Sequence, residues 1–294
     1  MGTHAREGWI QSEGLRLRYV EWGAVDAPAI VALHGLRSFA YTWEPVALPL
    51  AERFRIIALD QRGRGQSDWD PQRCYYAEHY VRDLEALVDH LDLARFVLVG
   101  HSMGGANAFV YAGLHPDRLA GLVIEDMGPG ASAGGAGAER IRRELLATPT
   151  RFADWDAAAA FWRSQRPNVP DTAIVARVQH SMKLADHGTE VVWRHDAEGI
   201  AAARLAATPQ QLVDLWPHVE SLRLPTLLLH GARSDFLTAE TARAMVQRNP
   251  VIQLVDVPDA SHYVHDDNLA GFEAALHAYL ADSTRVGWAS RRAR

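Results

Sequence analysis

Arg95-Phe96-Val97-Leu98-Val99-Gly100-His101-Ser102-Met103-Gly104-Gly105 joins two segments of different character. Up to Val99 the residues are apolar without alternation, the pattern of a strand buried on both faces. From Met103 to Leu114 the small and apolar residues suit a helix. Between them lies Gly-x-Ser-x-Gly, whose glycines allow a strained strand-to-helix turn that lifts the serine hydroxyl clear of a sheet. Ser102 is therefore a candidate nucleophile, presented at the end of a buried strand.

The same kind of buried run recurs on either side. Gly8–Ser12 and the alternating Leu15–Glu21 are separated by Glu13-Gly14, which suits a hairpin turn. Ala29–Leu33, Arg55–Leu59, Leu119–Glu125, Thr226–His230 and Ile252–Val257 are further strands, making eight with Arg95–Val99. Helices are expected over Thr42–Arg53, Ala77–Leu91, Ala239–Arg248 and Leu269–Leu280. In Ala77–Leu91, Val81, Leu84, Leu87, Val88 and Leu91 form one stripe. Strand and helix in alternation imply an α/β fold, a mostly parallel eight-stranded sheet with helices on both faces.

The alternation stops between Leu119–Glu125 and Thr226–His230. Residues 127–224 begin with a Gly/Ala-rich stretch and then read as helices only: Glu139–Ala147, Asp156–Gln165, Pro170–Ala185 and Pro209–Trp216. The expected organisation is a core of 1–126 and 225–284, a helical lid of 127–224, and a basic tail of 285–294. With 48% hydrophobic and 22% charged residues in 294, the chain has the proportions of a globular protein. A net charge of −6 argues against nucleic acid as a partner, and no apolar run is long enough for a signal segment or a membrane span. Cys74 is the single cysteine; it excludes an internal disulfide and favours a reducing, cytoplasmic location. Association with further copies of the chain is left open by the sequence.

A serine hydroxyl needs a histidine to take its proton and a carboxylate to orient that histidine. His262 follows the last strand, at the carboxyl edge where open α/β sheets bind ligands; His265 is the alternative. Two aspartates compete for the acid, Asp235 after Thr226–His230 and Asp126 after Leu119–Glu125, with Asp235 slightly favoured. Acyl transfer also needs backbone donors for an oxyanion. His34-Gly35-Leu36 follows a strand at the same edge, so the amides of Leu36 and Met103 would supply them, and His34 would anchor its loop. No metal-ligand cluster and no nucleotide-binding glycine motif is present, so no cofactor and no metal is expected.

Leu33-His34-Gly35, Asp60-Gln61-Arg62-Gly63-Arg64-Gly65-Gln66-Ser67, Gly100-His101-Ser102-Met103-Gly104-Gly105 and Ala260-Ser261-His262 together resemble the α/β-hydrolase superfamily over Gly8–Leu280. Within it the chain is similar to small carboxylesterases and to hydrolases of amide or carbon–carbon bonds. The resemblance implies Ser102 as nucleophile, His262 as base, Leu36 and Met103 as oxyanion donors, and an acid after either the sixth strand (Asp126) or the seventh (Asp235). Related dehalogenases and epoxide hydrolases use an aspartate where Ser102 stands, which disfavours those chemistries.

The expected activity is therefore hydrolysis of a small carboxylic ester or related acyl bond through an acyl-enzyme. The alternatives are amide or carbon–carbon hydrolysis by the same triad and, in another class, a non-catalytic ligand receptor on this fold. The partner implied is a small acyl substrate. Phe39, Trp43, His101, Trp162, Arg163, Trp193 and Phe236 are candidates to contact it. Among the arginines of the insertion, Arg142, Arg143, Arg163 and Arg166 are candidates to bind a substrate carboxylate.

Overall fold

The computed structural model describes residues 4–131, 134–186, 188–208 and 211–282. The tail expected over 285–294 lies outside them. Along the chain run β1 (Arg6–Ser12), β2 (Leu15–Trp22), β3 (Ala29–Leu33), α1 (Glu44–Leu50), β4 (Arg55–Leu59), α2 (Ala77–His90), β5 (Phe96–His101), α3 (Met103–Leu114) and β6 (Leu119–Glu125). Then come α4 (Gly135–Ala147), β7 (Arg151–Phe152), α5 (Trp155–Gln165), α6 (Asp171–Ser181), β8 (Met182–Leu184), β9 (Val191–Trp193), α7 (Ala197–Leu205) and α8 (Trp216–Ser221). The chain ends with β10 (Thr226–Gly231), α9 (Ala239–Arg248), β11 (Ile252–Val257), α10 (Val264–Asp267) and α11 (Leu269–Ala281).

Eight strands form one sheet in the order β1-β2-β4-β3-β5-β6-β10-β11. Only the first two pairings, β1 with β2 and β2 with β4, are antiparallel. The β1–β2 turn has positive φ at both Glu13 and Gly14, the conformation that keeps a two-residue hairpin in step with the strand twist. The parallel strands β3, β4, β5 and β6 are buried along their whole length, which is why their sequences do not alternate. One apolar cluster, with Leu98, Phe109 and Leu122, packs on one face of the sheet; another, with Trp22, Val99 and Phe272, packs on the other.

The segment between β6 and β10 departs from the expectation of helices alone. It contains a second, three-stranded antiparallel sheet in the order β7-β9-β8. The helix expected over Pro170–Ala185 ends at Ser181, and Met182–Leu184 turns into strand pairing with Val191–Trp193. The helix expected over Pro209–Trp216 begins only at Trp216 and runs to Ser221, with 209 and 210 outside the described residues. Phe152, Trp162, Ile174, Val178, Val191 and Trp193 give this segment a small core of its own. Among the described residues no helix is long and apolar enough to cross a membrane.

Candidate active site

Because the central strands are parallel, the loops after β3, β5, β6, β10 and β11 all emerge at one edge. Ser102 sits on the turn between β5 and α3 with φ 52° and ψ −118°, a strained backbone for a residue with a side chain. The turn closes only because its neighbours are glycines. A Cβ on Gly100 would lie 2.4 Å from the Gly104 carbonyl oxygen, and a Cβ on Gly104 would lie 2.3 Å from that of Leu33. The Ser102 amide donates to the Glu125 carbonyl at 3.1 Å, tying the turn to β6.

His262, in the loop after β11, completes a continuous line of hydrogen bonds. Its Nε2 lies 2.9 Å from Ser102 Oγ, and its Nδ1 lies 2.7 Å from Asp126 Oδ2. All three residues are buried. Asp126 also accepts from the Gly231 amide at 3.0 Å and from Ser234 Oγ at 2.6 Å. The sequence reading that favoured Asp235 as the partner of His262 is corrected here. Asp235 is bound by Arg140 through Nε (2.7 Å) and Nη2 (2.8 Å), and these hydrogen bonds hold its carboxyl below the usual range. The β10 loop reaches Asp126 through Ser234 instead. His265 is engaged elsewhere too: its Nδ1 lies 2.8 Å from both oxygens of Glu125.

Leu36 and Met103 flank Ser102 and line one cavity with it. As the first residue of α3, Met103 has an amide with no acceptor inside the helix, at the positive end of the helix dipole. A residue that sequence reasoning passed over holds this corner. Arg64, fully buried, donates from Nε to the Leu36 carbonyl at 2.9 Å and from Nη1 to Tyr80 Oη at 2.7 Å, while Nη2 lies 3.4 Å from Met103 Sδ. His34 anchors its own loop: Nδ1 donates to the Gly35 carbonyl at 2.8 Å and Nε2 accepts from the Gln61 amide at 3.2 Å. Burial pushes its pKa down to about 3, so it is neutral.

Ser102 lies where two cavities meet. The first contains Ser102, His262, Trp162, Trp193, Arg166 and Arg177. The second, more apolar, contains Met103, Tyr76, Tyr80, Ile200, Leu215 and Phe236, and Phe236 packs on His262 with ring centroids 4.2 Å apart. Three other expected contacts are corrected. Phe39 and Trp43 belong to the core, the first beside His180 and the second stacked on His265 at 4.8 Å. Arg163 points away, paired with Asp171 at 2.9 Å. His101 lines the first cavity, but its Nε2 donates to the His262 carbonyl at 2.9 Å, and burial lowers its pKa to about 4.

Among the described residues His101, Glu125 and His265 bring ligand-type atoms within 4.8 Å of one another. Most of their polar atoms are engaged with one another or with neighbours. Glu125 accepts from His265 Nδ1, His101 Nε2 donates to the His262 carbonyl, and His265 Nε2 lies 3.3 Å from Thr42 Oγ1. The group is a buried hydrogen-bond network beneath the serine turn.

Fold and site together are those of an alpha/beta hydrolase: residues 28–269 match the model of the alpha/beta hydrolase fold, and the chain belongs to that family of hydrolases. It is 30% identical over 242 residues to 2-(acetamidomethylene)succinate hydrolase of Mesorhizobium japonicum, covering 82% of this chain and 84% of that protein. It is 30% identical over 282 residues to 3-hydroxybutyrate-oligomer hydrolase of Cupriavidus necator, covering 89% and 93%. The solved structure of E-2-(acetamidomethylene)succinate hydrolase superposes with a TM-score of 0.84 at 26% identity, covering 95% of this chain and all of that one.

Proposed function

We propose that the protein is a serine hydrolase that cleaves a small carboxylic ester through an acyl-enzyme on Ser102, using groups of this chain alone. The observation that carries the reading is the unbroken line Ser102 Oγ–His262–Asp126, at 2.9 and 2.7 Å. His262 takes the hydroxyl proton on Nε2 as Ser102 attacks the acyl carbon, and Asp126 stabilises the imidazolium that forms. The amides of Leu36 and Met103 receive the oxyanion, and Arg64 acts as a positioning residue by holding the Leu36 carbonyl. His262 then protonates the leaving group and draws a proton from the water that releases the acid. The segment between β6 and β10 serves as the lid, since Trp162, Arg166, Arg177 and Trp193 line the cavity of Ser102.

An amide is the second reading. The relative from Mesorhizobium japonicum has an acetamido group in the substrate its name gives, whereas the one from Cupriavidus necator is named for an oligomer of a hydroxy acid. Comparing p-nitrophenyl acetate with p-nitroacetanilide separates the two, and faster turnover of the ester is expected. Ser102→Ala should lower turnover by about 10⁶-fold and abolish labelling by a fluorophosphonate probe. Retained turnover or labelling in that variant would overturn the assignment.

A further inference from the structure

Arg166 and Arg177 stand in the same cavity as Ser102 and His262 with more positive charge than the cavity's carboxylates neutralise. Arg177 donates through Nη2 to Asp266 Oδ1, and Arg166 Nε lies 3.9 Å from the other oxygen of the same carboxylate. Two guanidiniums thus share Asp266. The remaining charged pairs balance internally: His265 is matched by Glu125, and Arg37 is taken up by Glu144 and by Thr148 Oγ1.

Both arginines also keep an unused donor. The Nε of each is buried without a hydrogen-bond partner, a state that costs about 1–3 kcal/mol per group unless something fills it. Their planes are held in advance, Arg166 with its guanidinium 3.4 Å over the Tyr263 ring and Arg177 5.7 Å from that of Trp162. The excess field is felt locally. Desolvation raises the pKa of the half-buried Tyr263 phenol, yet the opposing charges of Arg166 and Arg37 bring it below the usual tyrosine value.

We propose that the substrate carries a carboxylate, held by Arg166 and Arg177 in the cavity beside Ser102, with its apolar part in the second cavity. This rests on the hydrolase reading above and names the class of acyl substrate that site takes. A planar guanidinium offers paired donors that match a carboxylate, and two of them, prepaid in position, discriminate strongly against a neutral group of similar shape. Of the arginines singled out in the sequence, Arg166 alone lines this cavity; Arg177 joins it from α6, while Arg142 lies on another cavity and Arg163 pairs with Asp171.

The test compares the mono-4-nitrophenyl ester of glutaric acid with its neutral methyl diester. Wild-type enzyme should favour the carboxylated ester in kcat/KM by about tenfold or more, the scale of a charge-assisted pair. In Arg166→Gln and Arg177→Gln that ratio should fall towards one. A wild-type ratio near one, or variants that slow both esters in proportion while keeping the wild-type circular dichroism, would overturn the proposal. Binding is measured separately on Ser102→Ala by calorimetry, with the dicarboxylates succinate to adipate against their dimethyl esters. Dicarboxylates should bind, and adding Arg166→Gln should weaken them about tenfold. Binding no tighter than the dimethyl esters overturns the carboxylate site even if esters are hydrolysed. Turnover of neither ester, with dicarboxylates bound, overturns the hydrolase reading instead.

Discussion

Asp126 and Asp235 differ in what surrounds one carboxylate. Asp126 is fully buried and receives three donors, from His262, Ser234 and the Gly231 amide. Such a charge keeps its orientation because no water competes for its lone pairs. Asp235 lies at the rim, its side chain 37% exposed, and its charge is spent on Arg140. Asp126→Asn should therefore leave the fold standing but lower kcat by about 10⁴-fold, because an amide in place of the carboxylate favours the wrong imidazole tautomer. Asp235→Asn loses a partly exposed ion pair worth about 0–1 kcal/mol and should keep kcat within about threefold. Steady-state kinetics on the two variants check this, and a collapse confined to Asp235→Asn would reverse the roles.

At the scale of elements, the active edge depends on how closely α3 can lie over the end of β3. The approach is set at Gly104, where a methyl group would sit 2.3 Å from the Leu33 carbonyl oxygen and 2.8 Å from that of His34, both backbone atoms with no room to yield. Gly104→Ala should then cost about 1–3 kcal/mol in urea unfolding and should move the Met103 amide relative to Leu36, lowering kcat more than it changes KM. Unchanged unfolding midpoint and kcat would refute that reading. The motif Gly100–Gly104 was readable because this steric demand leaves glycine as the only residue that fits. The buried strands were readable for a related reason, since a strand covered on both faces must be apolar throughout. The choice between Asp126 and Asp235 was not readable: both follow parallel strands at one edge, and the decision rests on Ser234 and Arg140, which come from separate loops and helices. The small sheet β7-β9-β8 escaped too, since strands of two or three residues are too short to show alternation. Arg177 was hidden inside what reads as an ordinary helical face, and only the pairing with Asp266, 89 residues away, gives it a place.

Across the whole molecule, burial of neutral histidines couples stability to pH. His34 and His195 are pushed down to about 3 and His101 to about 4, in each case chiefly because burial disfavours the imidazolium. In the unfolded chain the same rings take up a proton near pH 6.5. Below that value the unfolded state binds protons that the folded state refuses, so stability is complete above about pH 6.5 and falls as the pH drops towards the folded values. Each ring contributes roughly 1.4 kcal/mol per pH unit inside that window. His265 has the opposite sign: burial lowers its pKa, but Glu125 and Asp266 outweigh that and raise it. Its contribution is already in place below the unfolded value and does not offset the loss. The carboxyls of Glu125 and Asp266, both held below their usual range against burial, add their own loss only at still lower pH. The melting temperature should therefore decline steadily between pH 6.5 and pH 5, at about 2–4 °C for each kcal/mol. Calorimetric scans across that range test it, and a melting temperature that stays level to pH 5 would mean that all three rings accept protons in the folded protein.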